Sequence, residues 1–264
     1  MGVAIELESV GKRFARAGDA ADADADYVAL DGFTLEVREG EFFCLLGPTG
    51  CGKSTVLHLV AGFEQPSAGR VQVFGKSVLR PDADRGVVFQ TEQALFPWLT
   101  VEQNVAFGLN MRGVERALQA ALLERNLELV GLTRHRAKFP RELSGGMKQR
   151  VQIARALAND PRILLMDEPF GALDAQTRRR MQEEVARIWS ATAKTVIFIT
   201  HDIGEAIWLA DRVGVMTRGP AARLKEIVTV DLPRPRHAMN QAYVELYNRL
   251  SATILAEAEA MLND

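Results

Sequence analysis

Residues 41–46 read Glu41-Phe42-Phe43-Cys44-Leu45-Leu46, and Gly47-Pro48-Thr49-Gly50-Cys51-Gly52-Lys53-Ser54 follows directly. The apolar run suits a strand buried on both faces, as in a parallel sheet. The next stretch fits G-x-x-x-x-G-K-[ST], and the apolar residues from Lys53 to about Ala61 predict a helix. Strand, glycine loop and helix, in that order, form the setting in which this pattern binds a nucleotide phosphate. Glycines let the backbone curl until its N–H groups converge on phosphate oxygens. The helix start adds the positive end of its dipole. Lys53 brings a full positive charge to the β- and γ-phosphates, and Ser54 offers a hydroxyl to Mg²⁺. A glycine-rich turn with a chance lysine would account for the residues but not for their flanks. Cys51 has no histidine beside it in sequence and reads as a small loop residue rather than a nucleophile.

Outward from this loop the pattern is that of an α/β protein. Residues 5–10 and 30–37 alternate apolar and polar, the period of half-buried strands. An Ala-, Asp- and Gly-rich linker, 15–26, separates them. Downstream, 71–74 and 85–89 read as strands. After Gln90 the period changes: 101–132 has apolar residues at helical spacing, clearest over 114–130, and no strand. This predicts an inserted helical subdomain over about 91–158, closing with a helix from Gly145 to Ala158. Strands resume at 162–166 and 195–200, with late strands at 211–216 and 227–230, and an Ala- and Leu-rich helix is expected from Gln241 onward. Strands alternating with helices imply a mostly parallel sheet, whose ligands sit beyond the carboxyl ends of the strands.

Two of those strands end in polar residues suited to phosphate chemistry. Ile163-Leu164-Leu165-Met166 runs into Asp167-Glu168. Asp167 is placed to hold Mg²⁺ and Glu168 to orient and deprotonate a water; such general-base help is worth ~10²–10⁴ in rate. Alone, the pair could be surface acids ending a strand; the phosphate loop upstream favours the catalytic reading. His201 ends the 195–200 strand in the same way, where a lone histidine is more often a satisfied side chain. Gln90 ends the 86–89 run, and its amide oxygen either coordinates Mg²⁺ or water or is simply exposed.

Bulk properties bound these readings. A chain of 264 residues, 47% hydrophobic and 25% charged, is long enough for one large domain or a domain with an insert. A net charge of −2 gives no bulk attraction to nucleic acid or anionic lipid. Two cysteines, Cys44 and Cys51, suit a reducing cytosol rather than a disulfide framework. The start, Met1-Gly2-Val3-Ala4-Ile5-Glu6, has no basic segment and no apolar core, so no signal peptide is expected. No apolar run approaches the ~20 residues of a membrane span.

Leu143-Ser144-Gly145-Gly146-Met147-Lys148-Gln149-Arg150 resembles the LSGGQ signature of the ATP-binding subunits of ABC transporters. In family order, Gln90 matches the Q-loop, Asp167 and Glu168 the Walker B pair, Gly171-Ala172-Leu173-Asp174 the D-loop and His201 the switch histidine. The resemblance covers roughly residues 3–230. It implies an α/β P-loop NTPase with a mostly parallel core, an antiparallel β subdomain and an inserted α-helical subdomain. The nucleotide-binding domain would span 3–235 and a C-terminal helical extension 236–264. It further implies ATP and Mg²⁺ as cofactors and hydrolysis by Glu168, His201 and Gln90. Nucleotide contacts would come from Phe14, residues 47–54, Thr55, Ser144, Gly145, Gly146 and Asp174, and metal contacts from Ser54, Gln90 and Asp167. The signature residues would complete the site of a second copy in a head-to-tail homodimer. The implied partners are two membrane-spanning permease subunits and, indirectly, a solute-binding protein, with no nucleic acid. The implied location is peripheral, on the cytoplasmic face of the inner membrane.

The sequence departs from the family in places. Met147 stands where the family has glutamine; since Ser144, Gly145 and Gly146 are the phosphate contacts, activity is expected to survive. Phe14, in Gly11-Lys12-Arg13-Phe14, occupies the place of the aromatic that stacks on adenine, but the linker is longer than usual and Tyr27 competes; core packing is the alternative for either. Within the family, 85–90, 95–98 (Leu95-Phe96-Pro97-Trp98) and 104–109 resemble taurine importers most, and 167–174 joins them in a wider likeness to aliphatic sulfonate and nitrate importers. Residues 95–98 are either a groove for a helix of the membrane subunit or core of the insert.

Other features carry less. The acidic repeat at Asp22, Asp24 and Asp26 lacks the glycine and glutamate of a Ca²⁺ loop and reads as solvated linker. Arg178-Arg179-Arg180 suits an exposed helix start, and Trp189 and Trp208 core or interface. His58, His135 and His237 lack metal-ligand spacing. A non-transport ABC protein would be expected to show tandem domains, coiled-coil arms or zinc cysteines, and the signature argues against a small-molecule kinase.

Overall fold

The computed structural model describes residues 2–15, 26–90, 94–171, 173–234, 236 and 241–260. The linker from 16 to 25, with Asp22 and Asp24 of the acidic repeat, Ala172 and His237 lie outside the described residues. Along the chain run β1 (Val3–Phe14), β2 (Tyr27–Arg38), β3 (Phe42–Leu46), α1 (Lys53–Ala61), β4 (Ala68–Val73), β5 (Lys76–Ser77) and β6 (Arg85–Val88). Next come α2 (Val101–Met111), α3 (Arg116–Leu129), α4 (Gly145–Ala158), β7 (Ile163–Asp167), α5 (Ala175–Thr192), β8 (Thr195–Thr200), α6 (Ile203–Leu209), β9 (Arg212–Met216), β10 (Leu224–Thr229) and α7 (Gln241–Ala260). They fall into two units, residues 1–82 with 195–264, and residues 83–194.

The first unit holds an antiparallel sheet in the order β2-β1-β4-β5. β1 runs beyond the expected Val10 because irregularities between Leu7 and Val10, and again before Lys12, reset its alternation. In the same unit β3 lies between two parallel neighbours, β8 and β9, and β10 adds antiparallel to β9. Every residue of β3 and of β8 is buried, as a strand covered on both faces requires. Phe42 packs on Phe198 with ring centroids 5.8 Å apart, and each such buried ring or leucine contributes about 1.5–3 kcal/mol. α1 stops at Gly62, whose φ of 82° is left-handed and whose N–H bonds back to His58 and Leu59. A Cβ there would stand 2.5 Å from the Arg80 carbonyl, so both conformation and space demand glycine.

In the second unit β6 and β7 pair in parallel. α2 opens with a capping box between Thr100 and Gln103, α4 with Ser144 and α5 with Asp174, each side-chain oxygen taking an N–H of the first turn. The stretch with the clearest helical spacing becomes α3, yet of its side chains only Asn126 and Leu127 are buried. Arg179 and Arg180 are exposed on the early turns of α5, as expected of that basic run.

Candidate nucleotide-binding site

In the first unit, strand register brings the phosphate loop and the histidine to one level. Leu46 of β3 pairs with Thr200 of β8 and with Val215 of β9, so Gly47, His201 and Met216 leave adjacent strands together. The loop curls through left-handed glycines, Gly50 at φ 79° and Gly52 at 92°. At Gly47 a Cβ would stand 2.9 Å from the Cys51 sulfur and 3.2 Å from the Met216 Cβ, so the loop is packed tightly from inside and behind. Cys51 is buried and serves as that packing. Lys53 is 5% exposed, and its ammonium donates to the carbonyls of Gly47 and Pro48, both at 2.8 Å. Thr49, Gly50 and Ser54 are exposed and Pro48, Gly52 and Thr55 half-buried. Among the described residues no side chain caps α1 and its first turn holds no acid, which leaves its N–H groups for an anion. Cys44 is inert, since burial and the Glu205 charge push its thiol well above the ordinary range.

His201 is exposed. The turn after it is held by Thr200, whose hydroxyl donates to Glu205 at 2.6 Å and accepts the Asp202 N–H at 3.0 Å. Asp202 in turn accepts the Glu205 N–H at 3.0 Å and caps α6. The two aromatic candidates, Phe14 and Tyr27, face each other as cross-strand partners, so they share one face of the sheet. The Lys12 ammonium lies over the Phe14 ring, 4.8 Å from its centroid. Tyr27 is 39% exposed, and its hydroxyl is 3.5 Å from a Cβ built on Gly219, which also stands 3.1 Å from the Gly50 carbonyl oxygen.

The second unit repeats the device. Val88 of β6 pairs with Met166 of β7, so the residues after each strand emerge side by side. The Gln90 amide donates to the Glu168 carboxylate at 3.4 Å. Glu168 has φ 41°, a strained conformation for a non-glycine residue that clusters at functional sites. The turn is closed by the Gly171 N–H on the Glu168 carbonyl at 3.1 Å. Asp174 accepts from the N–H groups of Gln176 and Thr177 at 3.1 and 3.0 Å. Hydrogen bonds from Thr177 hold its carboxyl below the usual range. Ser144 accepts from the Met147 N–H at 3.4 Å. A Cβ on Gly146 would lie 2.8 Å from the Thr177 methyl, so this glycine lets α4 and α5 cross.

Residues 95–98 are not all core. Leu95 is buried but Trp98 is 69% exposed, with Phe107 and Met111 also exposed. Phe96 stacks against Phe107 at 4.4 Å and Trp98 at 5.5 Å. Two residues not singled out from the sequence build this surface. Asn104, fully buried, binds the backbone of Phe96, Leu99 and Thr100. Arg155 of α4 donates to the Ala94 carbonyl at 2.8 Å and lies 5.5 Å over the Phe96 ring. Their partners are backbone groups, which leave no trace in a residue pattern.

Strand–loop–helix geometry and sheet topology define a P-loop nucleotide-binding fold of the α/β class. A model of the ABC transporter family matches residues 30–171. An uncharacterized ABC transporter ATP-binding protein of Methanocaldococcus jannaschii is 46% identical over 250 residues, 95% of this chain and 91% of its own length. The bicarbonate transport ATP-binding protein CmpD of Synechococcus elongatus is 51% identical over 215 residues, 80% of this chain and 76% of its own. Among solved structures, a dimeric ATP-binding cassette bound to ADP and Pi aligns with TM-score 0.71 and 28% identity, over 87% of this chain and 100% of that one. The cbiO1 protein of Clostridium perfringens, part of the ABC transporter complex cbiONQ, aligns with TM-score 0.76 and 25% identity, over 96% of this chain and 98% of its own. The chain belongs to the ABC transporter family, as an ATP-binding subunit. Membership implies ATP binding and hydrolysis coupled to transport.

Proposed function

We propose that this chain hydrolyses ATP to energise an importer of a small anionic or zwitterionic solute. The observation that carries the reading is the phosphate loop, with a buried Lys53 ammonium drawn in by two carbonyls beside an uncapped helix start. ATP would draw that ammonium off the Gly47 and Pro48 carbonyls and onto its β- and γ-phosphates. Ser54, Gln90 and Asp167, with hydroxyl, amide and carboxylate oxygens, are the all-oxygen donors that would hold Mg²⁺, whose charge would offset that of the phosphates. Glu168 takes the proton of the attacking water, Gln90 steadies its carboxylate, and His201 adds a polar contact to the γ-phosphate. Phe14, with Tyr27 beside it, supplies the adenine platform.

Ser144, Gly145 and Gly146 close the site of a second copy, in a head-to-tail dimer with self-complementary surfaces. The dimeric cassette bound to ADP and Pi supports this arrangement. No described helix is long and apolar enough to cross a membrane; attachment through permease subunits is what membership of the transporter family suggests. The exposed Trp98, Phe107 and Met111, with the half-buried Phe96 among them, offer the groove for a permease helix, and cbiO1, part of a transporter complex, supports a membrane partner. Taurine is the solute to which the motif stretches point, with aliphatic sulfonates and nitrate beside it; relatives named for bicarbonate transport support the wider class of small anions. The test of the reading is calorimetric titration with Mg-ATP and co-purification with a membrane subunit; a folded chain that binds no Mg-ATP sinks it. Growth on taurine as sole sulfur source after deletion of the gene tests the solute.

A further inference from the structure

We infer that the C-terminal helix α7 sets the nucleotide affinity of the phosphate loop, with Glu257 as a positioning residue acting through the turn 217–223. The inference rests on the reading of residues 47–54 as the nucleotide loop.

The turn 217–223 joins β9 to β10 and closes on itself, the Thr217 N–H bonding the Arg223 carbonyl and the Arg223 N–H the Thr217 hydroxyl, both at 2.9 Å. It backs the phosphate loop: a Cβ on Gly219 would stand 3.1 Å from the Gly50 carbonyl oxygen and 3.6 Å from the Cys51 Cα. Beyond Gly219 the turn is pinned to β2 by backbone bonds, Ala221 to Val28 at 2.7 Å and Ala222 to Ala29 at 3.1 Å. Before Gly219 the tether is different. The Arg218 N–H donates to the Glu257 carboxylate at 2.9 Å, and the other oxygen of Glu257 takes the Lys225 ammonium at 2.6 Å. Glu257 lies on α7, far along the chain from everything that binds phosphate.

α7 is anchored at two further places. Glu226 of β10 accepts from Arg249 at 2.7 Å and Thr253 at 2.9 Å. The buried Tyr243 reaches the turn after His201, where a Cβ on Gly204 would stand 3.5 Å from the Tyr243 hydroxyl and 3.0 Å from the Asp202 carboxylate. From Tyr243 to Glu257 the helix covers about 21 Å at 1.5 Å per residue. One helix therefore braces the turn beside the histidine with one end and the turn behind the phosphate loop with the other. Loss of the Glu257 side chain removes the carboxylate that receives the Arg218 N–H and loosens the backing of Gly50.

The test compares full-length Glu257→Ala and Glu257→Gln with the wild type, reading Mg-ATP affinity by calorimetry and turnover at saturating ATP. Glutamine keeps an oxygen for the Arg218 N–H; alanine does not. Glu257→Ala should bind Mg-ATP about tenfold more weakly, equivalent to about 1.4 kcal/mol, with saturated turnover unchanged, and Glu257→Gln should recover the wild-type affinity. A purely structural role would shift the melting of both variants and leave affinity alone. A folded Glu257→Ala with wild-type affinity, or equal weakening in both variants, overturns the inference while leaving the nucleotide reading intact; a wild type that fails to bind Mg-ATP overturns both. Should Glu257→Ala not fold, hydrogen exchange on the wild type decides. Linkage requires Mg-ATP to protect 217–223 and α7 together with 47–53, and unchanged exchange in the turn overturns the inference.

Discussion

Asn104→Ala tests the construction of the exposed aromatic surface. Asn104 is 0% exposed, and its side chain closes four bonds: Oδ1 takes the Phe96 N–H at 2.9 Å, and Nδ2 donates to the carbonyls of Phe96, Leu99 and Thr100 at 3.0–3.1 Å. Two of these backbone groups have other partners, since Phe96 O also receives the Leu99 N–H and Thr100 O the Asn104 N–H. Among the described residues, alanine therefore leaves the Phe96 N–H and the Leu99 carbonyl without a partner. At about 1–3 kcal/mol for each unmet buried group, and with water recovering part of it, the cost is about 2–4 kcal/mol. Asn104→Asp keeps the Phe96 N–H bond but sets a carboxylate against three carbonyls, so it should be at least as damaging. Urea denaturation followed by circular dichroism reads the stability. Capture by the membrane subunit reads the surface, and both should fall while Mg-ATP affinity, which depends on residues 47–54, holds. A destabilisation below about 0.5 kcal/mol, or an Asn104→Asp variant as stable as the wild type, would refute the reasoning.

Further perturbations address other parts of the molecule. Lys53→Ala should remove most Mg-ATP affinity in calorimetry while the chain stays folded; unchanged affinity would count against the phosphate-loop reading. Gly146→Ala puts a methyl 2.8 Å from the Thr177 Cγ2 and should cost about 1–3 kcal/mol of stability by overpacking; Thr177→Ser in the same chain removes that Cγ2 and should recover most of it, and a double variant no more stable than Gly146→Ala would exclude the clash. The docking of α7 should depend on pH. Burial alone would raise the Glu226 and Glu257 carboxyls, but bonds from Arg249 and Thr253 to the first, and from Lys225 and the Arg218 N–H to the second, hold both below the ordinary 4.5. A depressed pKa in the folded state means that docking is complete above about pH 4.5 and is lost as pH falls through the depressed values. Hydrogen exchange in α7 should accelerate between about pH 6 and pH 3.5, after correction for the intrinsic rate, and equal protection at both would contradict this.

Much of the architecture could be read from residues whose signals are local. β8, α1 and α4 begin and end where expected, because apolar runs, left-handed glycines and the Ser144 cap all act within one turn of chain. Gln90 and Glu168, 78 positions apart, meet because β6 and β7 pair in register at Val88 and Met166, within a residue of the ends that their apolar runs mark. What was missed depends on partners without a residue signature. α6 has only 7 residues, too few to show a period, and its Asp202 cap is visible only once the turn is known. Arg236, 3% exposed, donates to the carbonyls of Ile207, Trp208, Ala210, Val230 and Leu232, and burial lowers its pKa to about 10. Carbonyls are present at every position, so nothing in the sequence marks these. Over 114–130 the opposite holds: helical spacing gave the helix correctly but not its cover, and Leu118 is left 53% exposed.

The central claim is a paired ATPase in which Glu168 drives hydrolysis and the signature of a second copy closes the site. Its most direct test is light scattering of Glu168→Gln in the presence of ATP, with phosphate release recorded on the same sample. Loss of the base should slow release by about 10²–10⁴ and leave the ATP-bound protein at twice the mass of one chain. A Glu168→Gln protein that releases phosphate at the wild-type rate and stays at the mass of one chain would contradict the account.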